Sequence, residues 1–237
     1  MAYFTGPNIV INGLTLYADP ANLKSNEGGV NMVDMTSTYN QNKSNGSQMS
    51  ISGDPKVITS NGNGGCFRYL IAAGNSVDWA TAEWSISAWG IRDNSIATEN
   101  RMWDLSEAGN GHLRLTLAAV PNLNFRPAGA SSTDLISGGS SVVGKWYNVV
   151  ITKSGTTSGG SATYTMYNNG VQVASNTTSA LTTESAFSYI TIMRSSDDDN
   201  ANISWDGDFG PFSVYDRILS TTEVAQNFNG LKSRFGL

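Results

Sequence analysis

The sequence predicts an all-β fold, a sandwich or jelly roll of about a dozen antiparallel strands with one short C-terminal helix. Two observations support this prediction. Short runs of alternating apolar residues recur along the chain between turns rich in Gly, Asn and Ser, and one capped amphipathic segment lies near the C-terminus. No change in composition marks a second domain, so residues 1–237 are predicted to form one domain.

The strands of the N-terminal part are short and separated by polar segments. Gly13 interrupts the first of them and is expected to form a bulge. Residues 22–65 are poor in large apolar side chains and are predicted to be mostly loops. The predicted strands here are residues 8–18, 30–35, 48–51 and 66–71.

Residues 83–92 give the clearest strand signal in the chain. Trp84 and Ile86 alternate with Ser85 and Ser87, and Trp89 falls on the face opposite Trp84. A Trp on each face is expected for a central strand that has one face in the core and the other in a concave surface.

The second half of the chain contains regularly spaced strands. Asn169-Gly170 lies between two alternating runs and is a strong signal for a type I′ hairpin turn. The predicted strands are residues 101–105, 112–118, 123–126, 146–152, 162–166, 171–174 and 187–193.

The C-terminal stretch begins with a strand interrupted by Gly210-Pro211. Since Pro cannot donate a hydrogen bond to a neighbouring strand, we expect an edge strand or a bulged one. Ser220 and Glu223 then have the spacing of a capping box, which predicts a helix over residues 221–230.

This helix carries one apolar stripe. Val224, Phe228 and Leu231 lie at positions i, i+4 and i+7, and we expect them to dock the helix on a sheet. Phe235 is expected to anchor the tail that follows.

Four segments resemble a known family in the correct order along the chain. Residues 6–25 (GPNIVINGLTLYADPANLKS) resemble the opening strand of laminin-G-like, concanavalin A-like modules, and residues 83–92 and 144–155 resemble two of their middle strands. The segment WDGDFGPFSVYDRILSTTEVAQNFNGLKSRFGL resembles their C-terminus, in the form found in structural proteins of tailed bacteriophages. The resemblance implies a concanavalin A-like jelly-roll sandwich of two antiparallel sheets.

Composition excludes several classes of function. The formal net charge is −5, which argues against nucleic-acid binding because that function requires a basic surface. There is one cysteine, Cys66, so no internal disulfide can form, and we expect it to be buried. No long apolar run and no signal peptide are present, so membrane insertion is not expected.

The sequence offers weak candidates for catalysis. Glycoside hydrolases on this fold need two carboxyl groups across the scissile bond, and no Glu-x-Asp-x-x-Glu set occurs. His112, the one histidine, has no nucleophile motif with it. The chain is therefore predicted not to be an enzyme, with no catalytic residues.

Calcium is the metal that the sequence allows as a cofactor, and no other cofactor is predicted. Asp197, Asp199 and Asp206 are the candidate ligands, because Ca²⁺ prefers several hard oxygens. A solvated acidic loop is the alternative interpretation.

A sugar site would need aromatic platforms. Trp89, Trp103 and Tyr147 are the candidates, and core packing is the alternative for all three.

The function predicted from the resemblance is that of a non-enzymatic bacteriophage virion protein, capsid-decorating or tail-associated, with glycan adhesion as an added role. The expected location is the particle surface, and the expected partners are other virion proteins and host-surface glycans. We expect a homo-oligomer or many copies on a lattice. The alternative is a carbohydrate-binding adhesin, and a glycan depolymerase ranks last.

Overall fold

Two antiparallel sheets pack face to face in a computed structural model of the chain. The structure describes residues 9–22, 24–26, 32–38, 40–44, 49–62, 65–71, 79–93, 100–107, 110–117, 123–126, 136–139, 141–179, 187, 189–194 and 204–237. The all-β sandwich predicted from the sequence is confirmed, with its single short α-helix among the described residues at the C-terminus.

The first sheet has the strand order β13-β12-β11-β6-β15-β4-β3, and β1 pairs with β15 beside β4. Its long central strands are β6 and β15, which bring together the middle and the end of the chain. The strands are β1 (Leu14–Ala18), β3 (Met49–Ser52), β4 (Val57–Asn61), β6 (Trp84–Arg92), β11 (Tyr147–Gly155), β12 (Ser161–Asn168), β13 (Val171–Ser179) and β15 (Asp206–Tyr215).

The second sheet has the strand order β10-β9-β8-β7-β14-β5-β2. The strand β14 lies between β5 and β7, so a segment late in the sequence joins two early parts of the sheet. The strands are β2 (Asn40–Ser44), β5 (Phe67–Leu70), β7 (Asn100–Glu107), β8 (Asn110–Leu117), β9 (Leu123–Arg126), β10 (Ile136–Gly138) and β14 (Tyr189–Ile192).

The core lies between the two sheets and is rich in aromatic residues. On the first sheet, Trp84, Ile86 and Ala88 of β6 are fully buried, as the alternation of the sequence predicts. On the second sheet, one residue from each of six adjacent strands forms a buried row. That row consists of Phe67, Ile192, Trp103, Leu115, Phe125 and Ile136.

Pro211 lies in a central strand, which corrects half of the expectation for it. The register of β15 against β6 shifts between Phe209 and Phe212, so the predicted bulge is present. On its other side, β15 pairs with β4 through residues 206–209 and with β1 through residues 212–215. The proline therefore lies where the partner strand changes, and no ladder position requires its missing N–H.

Local turn chemistry agrees with the sequence. Asn169 and Gly170 both have positive φ, 51° and 79°, and join β12 to β13 as a hairpin. Gly13 has a φ of 75° at the start of β1, where the register against β15 is also irregular.

The strand predicted near residues 30–35 does not form over the described residues 32–35, which are held by hydrogen bonds of the Asp34 carboxylate and of the backbone.

The C-terminal helix α1 (Thr221–Leu231) begins at the predicted capping box. Ser220 Oγ accepts from Glu223 N, and Glu223 Oε2 accepts from Ser220 N at 2.9 Å. Arg217 forms a bidentate ion pair with the same carboxylate. The capping-box pattern did not predict this ion pair. This bond to Arg217 lowers the pKa of Glu223 to about 2.

The buried residues of α1 are Val224 and Asn227, whereas Phe228 and Leu231 are half-buried. Asn227 Oδ1 accepts from Val10 N at 2.7 Å, and Asn227 Nδ2 donates to the Tyr215 hydroxyl at 3.1 Å. The helix is therefore docked, as predicted, but through a buried amide as well as through its apolar stripe.

The predicted anchoring role of Phe235 is confirmed. Phe235 is the last residue of a short 3₁₀ helix (Lys232–Phe235) that follows α1, and its ring is buried.

Cys66 is buried as expected. Among the described helices, none is both long and apolar enough to cross a membrane.

Candidate functional site

The helix and the tail cover the centre of the outward face of the first sheet. Trp89 is only 2% exposed, and its ring lies against Phe228 at 5.6 Å and Phe235 at 4.6 Å between ring centroids. The expectation that this face of β6 opens onto a concave surface is therefore wrong. Sequence alternation shows which side Trp89 occupies but does not show that a distant helix covers it.

The other two predicted sugar platforms are also inaccessible. Trp103 and Tyr147 lie in the core between the sheets, at 0% and 2% exposure. Burial raises the pKa of the Tyr147 hydroxyl well above its usual range. The three aromatic candidates thus stabilise the sandwich, because apolar burial dominates the placement of large rings.

A small cavity remains between the helix and the first sheet. Its volume is about 10 Å³, and Trp89, Pro211, Tyr215 and Asn227 are among its lining residues. That space is about the size of one water molecule. It therefore cannot hold an organic ligand.

The outward face of the second sheet carries a continuous line of polar residues. Arg68 on β5 lies opposite Thr191 on β14, and Thr191 lies opposite Asp104 on β7. Asp104 lies opposite Arg114 on β8, and Arg114 lies opposite Arg126 on β9. Directly paired residues share one face of a sheet, so five neighbouring strands present one side chain each in a single line. We call these five residues the polar row.

The centre of the polar row is buried although it points away from the core. Asp104 and Thr191 are both 0% exposed, and Arg114 is 8% exposed. The Asp104 carboxylate forms an ion pair with Arg101, three residues earlier on the same strand. A buried carboxylate needs such a partner, because an isolated buried charge is costly.

A second polar line runs beside the first. Arg101 on β7 lies opposite Thr116 on β8, and Thr116 lies opposite Asn124 on β9. Thr116 Oγ1 donates to the carbonyl of Asn124 at 3.4 Å. Among the described residues, no hydrogen-bond partner reaches the buried Asn124 Oδ1 or the buried Thr191 Oγ1.

The two ends of the polar row are more accessible than its centre. Arg68 and Arg126 are half-buried. The guanidinium of Arg68 lies 5.0 Å from the ring centroid of Tyr189, which holds it over an aromatic face. The row therefore has a fixed centre and two ends that solvent can reach.

The described charged side chains on this face are four arginines (Arg68, Arg101, Arg114 and Arg126) and one carboxylate, Asp104.

Of the three predicted calcium ligands, the structure describes Asp206. Asp197 and Asp199 lie outside the described residues. Asp206 lies at the start of β15, and burial, together with the charges of Asp208 and Asp206, raises the pKa of Asp93. The Asp208 carboxylate accepts from Thr59 Oγ1 at 2.6 Å. Within the described part of the chain, no group of three or more His, Cys, Asp or Glu side chains could hold a metal ion.

The rejected catalytic candidate, His112, lies on the second sheet. His112 lies on β8 opposite Ser106, and the side chains of both are outside the described set. Asp104, a carboxylate of the same sheet, lies in the polar row.

The polar row was not predicted from the sequence. Each strand does show a signal, since Arg114 and Thr116 alternate with Leu113 and Leu115, as expected for a strand with one face outside the core. The register of five separate strands turns these local alternations into one surface, and register cannot be read from the residues of one strand.

Comparisons with known proteins agree on the fold. A sequence model of the Laminin_G_3 family, described as the concanavalin A-like lectin/glucanases superfamily, matches residues 61–225. No curated protein sequence matches the chain significantly.

Solved structures with the same fold include sialidases and toxin binding domains. Trypanosoma rangeli sialidase in complex with 2,3-difluorosialic acid has a TM-score of 0.72 and 15% identity, with coverage of 97% of this chain and 35% of that one. The botulinum neurotoxin serotype D/C binding domain has a TM-score of 0.67 and 15% identity, with coverage of 92% and 52%. The same kind of domain was also solved in complex with rat synaptotagmin II.

The prediction that the chain is not an enzyme is contradicted by these matches, because sialidases are enzymes. The chain spans about a third of the sialidase chains and about half of the toxin domain. At 15% identity the likeness shows the fold alone, and this fold occurs in both enzymes and binding domains.

Proposed function

Because the chain belongs to the concanavalin A-like lectin/glucanases superfamily, we propose that it is a glycan-binding domain whose binding surface is the outward face of the second sheet. The observation that carries this proposal is the polar row, which places one polar side chain from each of five adjacent strands in register. On the opposite side of the sandwich, the C-terminal helix and tail cover the centre of the first sheet at Trp89.

The chemistry of the face suits a sugar. Arg68 and Arg126, the half-buried ends of the polar row, each carry five N–H donors in a rigid fork. Sugar hydroxyl groups can accept such hydrogen bonds.

The structural neighbours support this proposal by analogy at the level of the fold. The sialidase was solved in complex with sialic acid, and the toxin domain is named as a binding domain. Fold-level analogy does not identify a ligand. The residues of the polar row therefore define where binding should be tested.

Binding to a panel of immobilised neutral, amino and acidic glycans tests the proposal. We expect Arg126→Glu, on the polar row, to abolish capture of the glycan that the unmodified protein binds. Lys56→Glu, exposed between β3 and β4 of the first sheet, makes the same change of charge, is the matched control and should bind normally. If no glycan is captured, or if both variants bind like the parent, the proposed function is wrong.

We also propose that the domain acts in many copies on the surface of a bacteriophage particle, attached to capsid or tail proteins. This proposal is supported by the resemblance of residues 6–25 and 205–237 to modules of tailed-phage structural proteins. Mass spectrometry of purified particles tests it, with host lysate as the control. Absence of the protein from the particles would contradict it.

A further inference from the structure

We propose that β13 is a dimer interface, at which two copies of this chain pair their β13 strands antiparallel about a twofold axis at Asn176. The first sheet then continues from one copy into the other. This inference does not depend on the glycan-binding proposal, which concerns the second sheet. It assigns a surface and a partner to the expected homo-oligomer.

Four strands end the two described sheets, and β13 differs from the other three. It is nine residues long, whereas β3, β10 and β2 have four, three and five residues. The register of β2 against β5 is also irregular. Short edge strands, bulges, charged residues and prolines are the usual means of preventing edge-to-edge pairing. Residues 174–179 of β13 form a regular ladder with β12 and include no charged residue and no proline, so this edge lacks that protection.

The strand is accessible to a second molecule. In the described part of the chain, β12 is the only strand that pairs with β13. Every side chain from residue 171 to residue 178 is exposed or half-buried. Val171 and Val173 are 65% and 39% exposed, so the start of the strand also offers apolar surface that a neighbour would cover.

The backbone of β13 has hydrogen-bonding groups that point away from β12. Ser175 Oγ donates to the Tyr164 carbonyl at 3.2 Å, so this carbonyl points towards β13. Tyr164 lies opposite Asn176, and the backbone of Asn176 therefore faces β12. The N–H of the next residue, Thr177, donates to Asn176 Oδ1 at 2.8 Å. Because backbone direction alternates along an edge strand, Ser175 and Thr177 present their N–H and C=O groups to a neighbouring strand.

Pairing about an axis at Asn176 satisfies these groups in both copies. Ser175 of one copy then lies opposite Thr177 of the other, and both residues direct their backbone groups to the shared edge. Such a pair exchanges both of its N–H···O=C bonds, and a partner carbonyl takes the place of Asn176 Oδ1.

The side chains of this register also match. Within the chain, Thr177 lies opposite Thr163 with their hydroxyl oxygens 2.8 Å apart. Ser175 lies opposite Thr165 in the same way, at 3.1 Å. The symmetric pairing places serine opposite threonine again, which is a favourable cross-strand pair.

A second copy of the chain is the partner that this edge fits. The chain has a formal net charge of −5, and charged side chains on the edge would face like charges in a symmetric dimer. The strand β13 carries no charge, so self-pairing has no such cost. A twofold contact uses the same residues of both copies, and the assembly therefore closes as a dimer instead of growing into a fibre.

Sedimentation velocity over a concentration series tests the dimer. The contact is a narrow strip, so we expect a reversible dimer with a Kd of about 1–100 μM. A mass that stays that of one chain at concentrations up to about 500 μM would overturn the proposal.

Charge variants locate the contact. Ser175→Lys/Thr177→Lys places like charges opposite each other across the axis and should raise the Kd about 10-fold or more. The matched control, Ser50→Lys/Ser52→Lys, adds the same charges at exposed sites of β3, at the other end of the sheet, and should dimerise like the parent. Circular dichroism of every variant confirms that it is folded.

A mixing experiment tests the symmetry. Ser175→Glu/Thr177→Glu should also dimerise weakly alone, whereas an equimolar mixture with the lysine variant should dimerise at least as tightly as the parent, because opposite charges then face each other. An unchanged Kd for the lysine variant, or no recovery in the mixture, would overturn the proposal.

A cysteine at the axis tests the register. In the proposed dimer Asn176 lies opposite the same residue of the second copy, so Asn176→Cys brings two thiols within reach of a disulfide, which needs Cα atoms about 4.4–6.8 Å apart. The native Cys66 is buried and does not compete. Mild oxidation should give a covalent dimer of Asn176→Cys but not of the control Ser50→Cys. Failure of Asn176→Cys to crosslink, or equal crosslinking of both variants, would overturn the axis at Asn176.

Discussion

Phe235 is predicted to contribute more to stability than any residue of the helix stripe. Its ring is 9% exposed and lies 4.6 Å from the Trp89 centroid and 4.4 Å from that of Trp146. Burial of such a ring is worth about 1.5–3 kcal/mol, and each favourable ring contact adds about 0.5–1.5 kcal/mol. We therefore expect Phe235→Ala to lower the free energy of unfolding by about 3–5 kcal/mol, the usual range for Phe to Ala in a core.

The backbone beneath the ring makes this site hard to repack. A Cβ at Gly210 would lie 3.0 Å from the Phe235 ring and 3.1 Å from Trp89 Cβ. The close approach of strand and ring explains the glycine at this position. Because the walls are a strand and two tryptophans, a cavity left by Phe235→Ala should collapse little, which favours the upper part of the range.

Two other variants calibrate the prediction. Phe228 is half-buried and stacks on Trp89 alone among the described aromatic residues, so Phe228→Ala should cost about 1–3 kcal/mol. Ser220→Ala removes only the helix cap and should cost about 1 kcal/mol. If Phe228 were fully buried, its replacement by Ala would cost about 3–5 kcal/mol. The structure places the buried ring at Phe235, so we expect that larger cost for Phe235→Ala.

Urea denaturation followed by tryptophan fluorescence and by circular dichroism gives the three free energies. The expected order of loss is Phe235→Ala, then Phe228→Ala, then Ser220→Ala, with unchanged denaturant slopes. If Phe235→Ala costs less than Phe228→Ala, the tail does not close the outward face of the first sheet. The stacking of Phe235 on Trp89 and Trp146 would then be refuted.

Three further predictions concern polar groups. Asn227→Ala leaves a backbone N–H and the Tyr215 hydroxyl without their amide partner, so it should cost about 1–3 kcal/mol by denaturation; a loss below that of a surface control would contradict the buried bridge. Asp104→Ala should cost about 3–5 kcal/mol, because it removes a carboxylate from a buried arginine, and a neutral effect in the same assay would contradict the ion pair. The pKa of Glu223 is lowered to about 2, so its contribution is fully present above about pH 4.5 and is lost as pH falls through 2. Glu223→Gln should therefore be less stable than the parent at pH 7, and the difference should shrink towards pH 2; a difference independent of pH would contradict the bond to Arg217.

The sequence determined the features that depend on neighbouring residues. The capping box at Ser220 and the Asn169-Gly170 hairpin form as predicted, because each is specified by residues within one or two turns of chain. The alternation in β6 correctly placed Trp84 in the core. These signals, repeated along the chain, were enough to predict an all-β sandwich with one helix.

Only the tertiary structure decided which surface is available for binding. Trp89 is on the outward side of its strand, as the alternation indicates, yet a helix more than a hundred residues away covers it. Pro211 permits either an edge or a bulge, and the choice depends on where β4 gives way to β1. Both outcomes depend on contacts between distant segments, which no local pattern encodes.

The candidate site most clearly combines features set by local sequence with features set by tertiary structure. Each residue of the polar row occupies a position that alternation alone assigns to the side of its strand away from the core. The row itself exists because β14, late in the sequence, inserts between β5 and β7 and aligns Thr191 with Arg68 and Asp104. A shift of one residue in that pairing would move the Thr191 side chain to the other face, so the site is a product of register between distant strands.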